Sequence, residues 1–362
     1  MAQRVGGLDG SWQKSLRPIV DEVIRARGVP GVVVAVARGS ALPEYLVVGT
    51  DAHGAPLRSD SLFPVASITK LATALAVLRL VAEGRLSLDA PLGSYVPDAA
   101  AARAGVTVRT LLSHTAGLPD DVDPAAAPYT LALDWPMLAR ACLATEPVYP
   151  PSTMMRYSNL GPGLLAIAIE RVTGVQFATV VNESVFKPLS IEGYLGVQPP
   201  RSVARVTGDF VDHVGTELEP FNTPFWRSLA LPWGGLITTA EGALRLVNAF
   251  AGVPSGFLPP ALTAEATTDQ TGALAGEMAG IFRWERSPWG LGAELRGQKS
   301  PHWTSLQASP ASFGHAGLSG CLVWSDPQTD VSWFIHGVRT LENWWKDWAT
   351  IDSAILSAGS RS

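Results

Sequence analysis

Residues 67–83 read SITKLATALAVLRLVAE, a run of good helix formers that is apolar almost all the way round, and Gly84 closes it. A helix without a polar face has nowhere to sit except the middle of a protein. The run is too short to span a bilayer, and Thr73 and Arg79 interrupt it. The chain must therefore build structure around this segment on every side. Its 362 residues, 47% hydrophobic and 16% charged, suffice for such a core, and the composition shows no sign of disorder.

The surroundings divide by period. Before this helix, Trp12, Leu16, Ile19, Val20, Val23 and Ile24 recur at helical spacing up to Gly28, and residues 32–37 and 45–48 read as two strands. After it, helical stretches broken by Pro and Gly dominate to about residue 230, one of them over 160–173. The last third is strand-like again at 312–315, 321–324 and 331–335, and Trp344, Trp345, Trp348, Ile351 and Ile355 mark a closing helix. We read an α/β (α+β) arrangement: one lobe from residues 1–66 and 231–362, a mainly helical lobe from 67–230, and a cleft between them.

Several function classes fall away. With a net charge of -5 and no Lys/Arg block, the chain lacks the basic face that a nucleic-acid partner requires. Residues 1–7 lack the apolar stretch of a secretory signal, and no segment is long enough to span a membrane, so a cytoplasmic protein without a membrane partner is expected. Cys142 and Cys321 lie in apolar surroundings and read as buried free thiols. Without CxxC, HExxH or paired-His spacing, neither a metal nor another cofactor is expected.

Chemistry enters at Ser67-Ile68-Thr69-Lys70. On a helix, positions i and i+3 share a face, so the Lys amine reaches the Ser hydroxyl and, if desolvated, acts as a base. The same Ser-x-x-Lys occurs at Ser11–Lys14 and Ser184–Lys187. Only Ser67 opens an all-round apolar helix, where its backbone N–H is a free donor near the positive end of the dipole, suited to an oxyanion. Alone, the pattern fits an N-terminal cap as well. Tyr157-Ser158-Asn159, the one Tyr-x-Asn present, puts a phenol and an amide on the same side of an extended segment. A third wall needs a strand with a small residue; His315-Ala316-Gly317 fits. His213-Val214-Gly215 has the same spacing, but in a polar loop.

With these motifs in this order, the sequence resembles the penicillin-binding-protein/β-lactamase-related serine hydrolases, which include class C β-lactamases, DD-peptidases, D-aminopeptidases and family VIII carboxylesterases. The stretch LLSHTAGLP at 111–119, the residues around Tyr157, and Gly234-Gly235-Leu236 with Thr238 and Thr239 add to the likeness, which runs from about 15 to 355. The resemblance implies a β-lactamase/DD-peptidase-like fold, with an antiparallel sheet flanked by the terminal helices plus an inserted helical lobe. It implies that Ser67 carries the acyl group and that Lys70 and Tyr157 handle the proton. Asn159, His315 and Gly317 would line the substrate site, and the N–H groups of Ser67 and Leu318 would form the oxyanion hole.

One departure bears on substrate. His315 stands where β-lactamases and most DD-peptidases have Lys, and an imidazole with an ordinary pKa of about 6.5 supplies little charge at neutral pH. Carboxylate substrates lose a fixed cation, so a carboxylesterase acting on small neutral esters is expected. A β-lactamase or a D-amino-acid peptidase or amidase is the alternative, and a catalytically silent binding protein is the alternative from another class. Ser113-His114 reads as a structural turn and Asp120, Asp121 and Asp123 as a solvated acidic loop. Trp284, Trp289 and Trp303 read as core residues rather than the lining of an acyl pocket.

Overall fold

The computed structural model describes residues 11–359 except 279 and 343, so the expectations for residues 1–7 lie outside the described residues. In chain order, the first elements are α1 (Ser11–Arg27), β1 (Gly31–Arg38), β2 (Glu44–Gly49), β3 (Phe63–Pro64) and α2 (Thr69–Ala82). Next come α3 (Val108–Leu112), α4 (Trp135–Ala144), β4 (Met155–Arg156), α5 (Leu160–Thr173), α6 (Phe177–Val181), β5 (Gly193–Tyr194), α7 (Pro224–Ser228) and β6 (Ile237–Thr238). The last third holds α8 (Ala240–Phe250), α9 (Pro260–Ala266), β7 (Gly276–Met278), β8 (Phe282–Trp284), β9 (Glu294–Leu295), β10 (Phe313–Gly317), β11 (Cys321–Asp326), β12 (Val331–Gly337) and α10 (Trp345–Gly359).

The main sheet is antiparallel, in the order β2-β1-β12-β11-β10-β9. Alternation along β1 shows why it is apolar throughout. Val32, Val34 and Val36 pack with Trp12, Leu16, Val20, Trp348 and Ile351 of the terminal helices. Val33, Ala35 and Ala37 face the other way, into the core that holds α2 and α8. The strand is covered on both faces, so neither face keeps polar residues.

Eleven of the fourteen residues of α2 are buried, Lys70 and Thr73 among them, with α5, α6 and α8 packed around it. The expected helix start moves. Ser67 lies in a 3-10 turn, Ala66–Ile68, that feeds α2, and Ala66 has φ +43°. Such a φ is sterically costly for a residue with a Cβ and marks a turn held by its surroundings.

Two small sheets cross the expected boundaries between the lobes, β3-β6-β5 and β4-β7-β8. Cys142 and Cys321 are buried free thiols, as the sequence suggested. Among the described residues no single helix is long and apolar enough to cross a membrane.

Candidate active site

Lys70 is the hub of the site. From the first turn of α2 its Nζ reaches Asn159 Oδ1 at 2.8 Å, the Trp233 carbonyl oxygen at 2.9 Å and Ser67 Oγ at 3.1 Å. An ammonium has three N–H donors to satisfy three acceptors. A neutral amine has two, which the two carbonyl oxygens take, leaving its lone pair directed at the Ser67 hydroxyl. Burial pulls Lys70 down to about 7, against an opposing pull from Asp121, so both forms are accessible near neutrality.

Tyr157 and Asn159 are placed by the short strand β4, which pairs in parallel with β7, and by the start of α5. The Lys70 ammonium position lies 4.7 Å from the Tyr157 ring centroid. Burial pushes the phenol far above its ordinary value, only partly countered by its hydrogen bond with Ser67, so it stays protonated. Rings of His114, Trp289 and His315 surround Tyr157 at centroid distances of 4.7, 5.9 and 5.8 Å.

On β10, His315 and Gly317 share a face. Gly317 meets the turn that carries Ser67, at a spacing that leaves no room for a side chain. Leu318 follows it, and its carbonyl accepts from Leu341 N at 3.1 Å. Among the described residues neither the Leu318 N–H nor the Ser67 N–H donates to another backbone group.

His315 is only 2% exposed, and Nδ1 lies 2.7 Å from the Ala316 carbonyl oxygen. Burial, reinforced by the charge of Lys70, lowers it to about 4, well under the ordinary 6.5 assumed from sequence. Behind it, Glu294 pairs in register with Gly314 and binds Lys299 Nζ at 2.8 Å and Trp303 Nε1 at 3.0 Å. Burial alone would raise the Glu294 carboxyl, but Lys299 and His302 more than reverse it. The Lys299 charge is therefore neutralised inside the core.

Sequence reasoning missed three contributors. The Asp120–Asp121 segment is not simply solvated: Asp121 Oδ2 accepts from Asn159 Nδ2 at 3.0 Å, and Asp120 accepts from Arg156 Nε at 2.6 Å. His114 is more than a turn residue, since its ring packs on Tyr157 and its Nδ1 accepts from Ser158 N. Trp233 contributes a carbonyl, for which no residue-type signal exists. Two of the rival motifs do not assemble, and the side chain of Ser11 in the third lies outside the described residues. Ser184 donates to Val180 O while Lys187 pairs with Glu183, and His213 stacks on Tyr129 in an exposed loop. Trp284, Trp289 and Trp303 are buried as expected of core residues, although Trp289 touches the site. Among the described residues no group of three or more His, Cys, Asp or Glu is arranged to hold a metal ion.

An antiparallel sheet meeting a helical layer at this constellation is the β-lactamase/DD-peptidase-like fold. The Beta-lactamase family model matches residues 16–342, and the chain belongs to that family, within a superfamily of serine hydrolases. It is 28% identical over 370 residues to esterase EstB of Burkholderia gladioli, covering 88% of this chain and 86% of that protein. It is also 28% identical over 333 residues to penicillin-binding protein 4 of Amycolatopsis lactamdurans, covering 85% and 79%. Among solved structures, EstCE1, "a hydrolase with promiscuous acyltransferase activity", shares the fold with a TM-score of 0.78 at 22% identity, over 96% of this chain and 99% of that one.

Proposed function

We propose that this chain hydrolyses small neutral carboxylic esters through an acyl-enzyme on Ser67, without a metal or organic cofactor. The observation that carries the reading is the buried Lys70 amine, close to neutrality and 3.1 Å from Ser67 Oγ. In this mechanism neutral Lys70 takes the hydroxyl proton as Oγ attacks the ester carbonyl. The oxyanion sits between the N–H groups of Ser67 and Leu318, each worth about 3–4 kcal/mol in the transition state. Collapse expels the alcohol, with the proton returned from Lys70 through the Tyr157 phenol to the leaving oxygen. Water then adds to the acyl carbon by the same relay, and the acid leaves as Ser67 recovers its proton. Asn159 and Asp121 fix the position of Lys70.

The ester preference rests on charge. His315 is neutral at physiological pH, and Lys299 is held by Glu294, so no free cation stands at the third motif for a substrate carboxylate. The likeness to an esterase supports the same reading. Equal identity to a penicillin-binding protein favours the β-lactam or D-amino-acid amide reading as the second choice.

The deciding experiment compares short and long p-nitrophenyl esters with nitrocefin and D-Ala p-nitroanilide. Ester turnover should exceed the other two and vanish in Ser67→Ala. Turnover that survives in Ser67→Ala removes the mechanism, and a preference for nitrocefin or the anilide removes the ester assignment.

A further inference from the structure

A cavity of about 790 Å³ opens on the helical layer, and none of Ser67, Lys70, Tyr157, Asn159 or His315 lines it. Its volume is in the range of small-molecule sites. Half-buried Trp135 and Tyr194 line it, the buried Phe177 and Phe186 back it, and exposed Val175 and Val197 lie at its edge.

Among all the residues that line it, Glu170 alone is charged, and no Lys, Arg or His is present. The Glu170 carboxylate is held in place by two uncharged donors, Trp135 Nε1 at 3.1 Å and the Phe177 backbone N–H at 3.0 Å. These fix its direction without neutralising it. Aromatic faces attract cations, and a fixed carboxylate beside them adds a point charge of the right sign. An anion would be repelled by Glu170, and an uncharged apolar guest would strip water from the carboxylate without replacing it.

We propose that this cavity binds a small organic cation with an apolar body, such as an aromatic amine or quaternary ammonium compound, separately from the hydrolytic cleft. The site touches the cleft's support. The Trp135 and Trp233 rings are 6.4 Å apart, and it is the Trp233 carbonyl that receives Lys70. Binding itself does not depend on the hydrolytic assignment.

The test is calorimetric titration of the full chain with benzyltrimethylammonium, benzyl alcohol and phenylacetate. The cation should bind at one site, at least tenfold more tightly than the other two. Glu170→Gln removes the charge while keeping an acceptor for Trp135 and Phe177, and should weaken cation binding at least tenfold. Thr179→Trp, at an exposed helical position on the wall, should fill the cavity and abolish binding without threatening the core. If the Gln variant does not fold, the Trp variant decides. Absence of saturable cation binding overturns the proposal, as does binding that the folded variants leave unchanged or that the alcohol matches.

Discussion

A Cβ placed on Gly317 would stand 2.4 Å from the carbonyl oxygen of Val65, two residues before Ser67. Strand β10 therefore lies against the Ser67 turn at a distance that only glycine permits. Gly317→Ala must push the two apart. We expect ester kcat/KM to fall by about 100-fold or more, since misplacement on the order of 1 Å costs that much. Overpacking should also remove roughly 1–3 kcal/mol of stability, read by urea unfolding. Full activity in the alanine variant would show that this close approach is not needed.

The pH profile should identify the base. Lys70 must be neutral to accept the Ser67 proton, so kcat/KM should rise through about pH 7 as one group loses its proton. Tyr157 stays a phenol over the same range because burial raises it. Tyr157→Phe should lower kcat by about 10²–10⁴ and leave the midpoint of that rise in place. A midpoint that moves with Tyr157 would transfer the role of base to the phenol.

Asp121 holds Asn159 and raises the pKa of Lys70. Asp121→Asn keeps a hydrogen-bond acceptor and removes the charge. The rise in kcat/KM should shift to lower pH, because the charge that favours the Lys70 ammonium is gone. An unmoved or upward-shifted profile contradicts the electrostatic role.

His315 should stay neutral through ordinary assay conditions, because its folded pKa is about 4. The ratio of nitrocefin to p-nitrophenyl ester turnover should therefore be flat from about pH 8 to about pH 5.5, the Lys70 dependence cancelling between substrates. A ratio that climbs through about pH 6.5 would place a titrating imidazole at the substrate.

Stability should respond to acid with opposing contributions. His315 and His336 are held near 4 by burial, so between the unfolded value of about 6.5 and 4 the unfolded chain binds more protons. Stability is lost as the pH drops across that window, by roughly 3 kcal/mol for each histidine at its lower end. Asp352 runs the other way. Buried and raised to about 7, it holds a proton that the unfolded chain gives up above about 4, so its contribution is lost as pH rises to 7. Asp352→Asn removes this offset, and thermal unfolding at pH 5 and 7 should show a larger acid loss in the variant. A smaller loss would reverse the sign assigned to Asp352.

What the sequence disclosed was what local spacing encodes. The three-residue interval from Ser67 to Lys70 survives the change from helix to 3-10 turn, because both put those side chains on one side. The continuous apolar run of β1 follows from burial on both faces. The expected start of α2 failed at Ala66, whose positive φ is imposed by packing and not by propensity. Asp121 looked solvated because its partner is 38 residues away, and the Trp233 carbonyl is a group every residue carries. His315 was readable as a weak cation, but its burial, which makes it weaker still, depends on Trp289 and Tyr157 closing around it.

On the ribosome, the pairing of Val34 with Ile335 becomes a matter of timing. Strand β1 leaves the exit tunnel about three hundred residues before the segment that completes it, a delay on the order of 15–60 s at 5–20 residues per second. During that interval β2 can shield only one edge of a valine-rich ribbon. The nascent chain is then most exposed to aggregation and to chaperone capture, and the Ser67 turn has no β10 to lean on. Activity should therefore appear only once β12 has emerged, in a single late step, and polypeptides stalled before β12 should carry none.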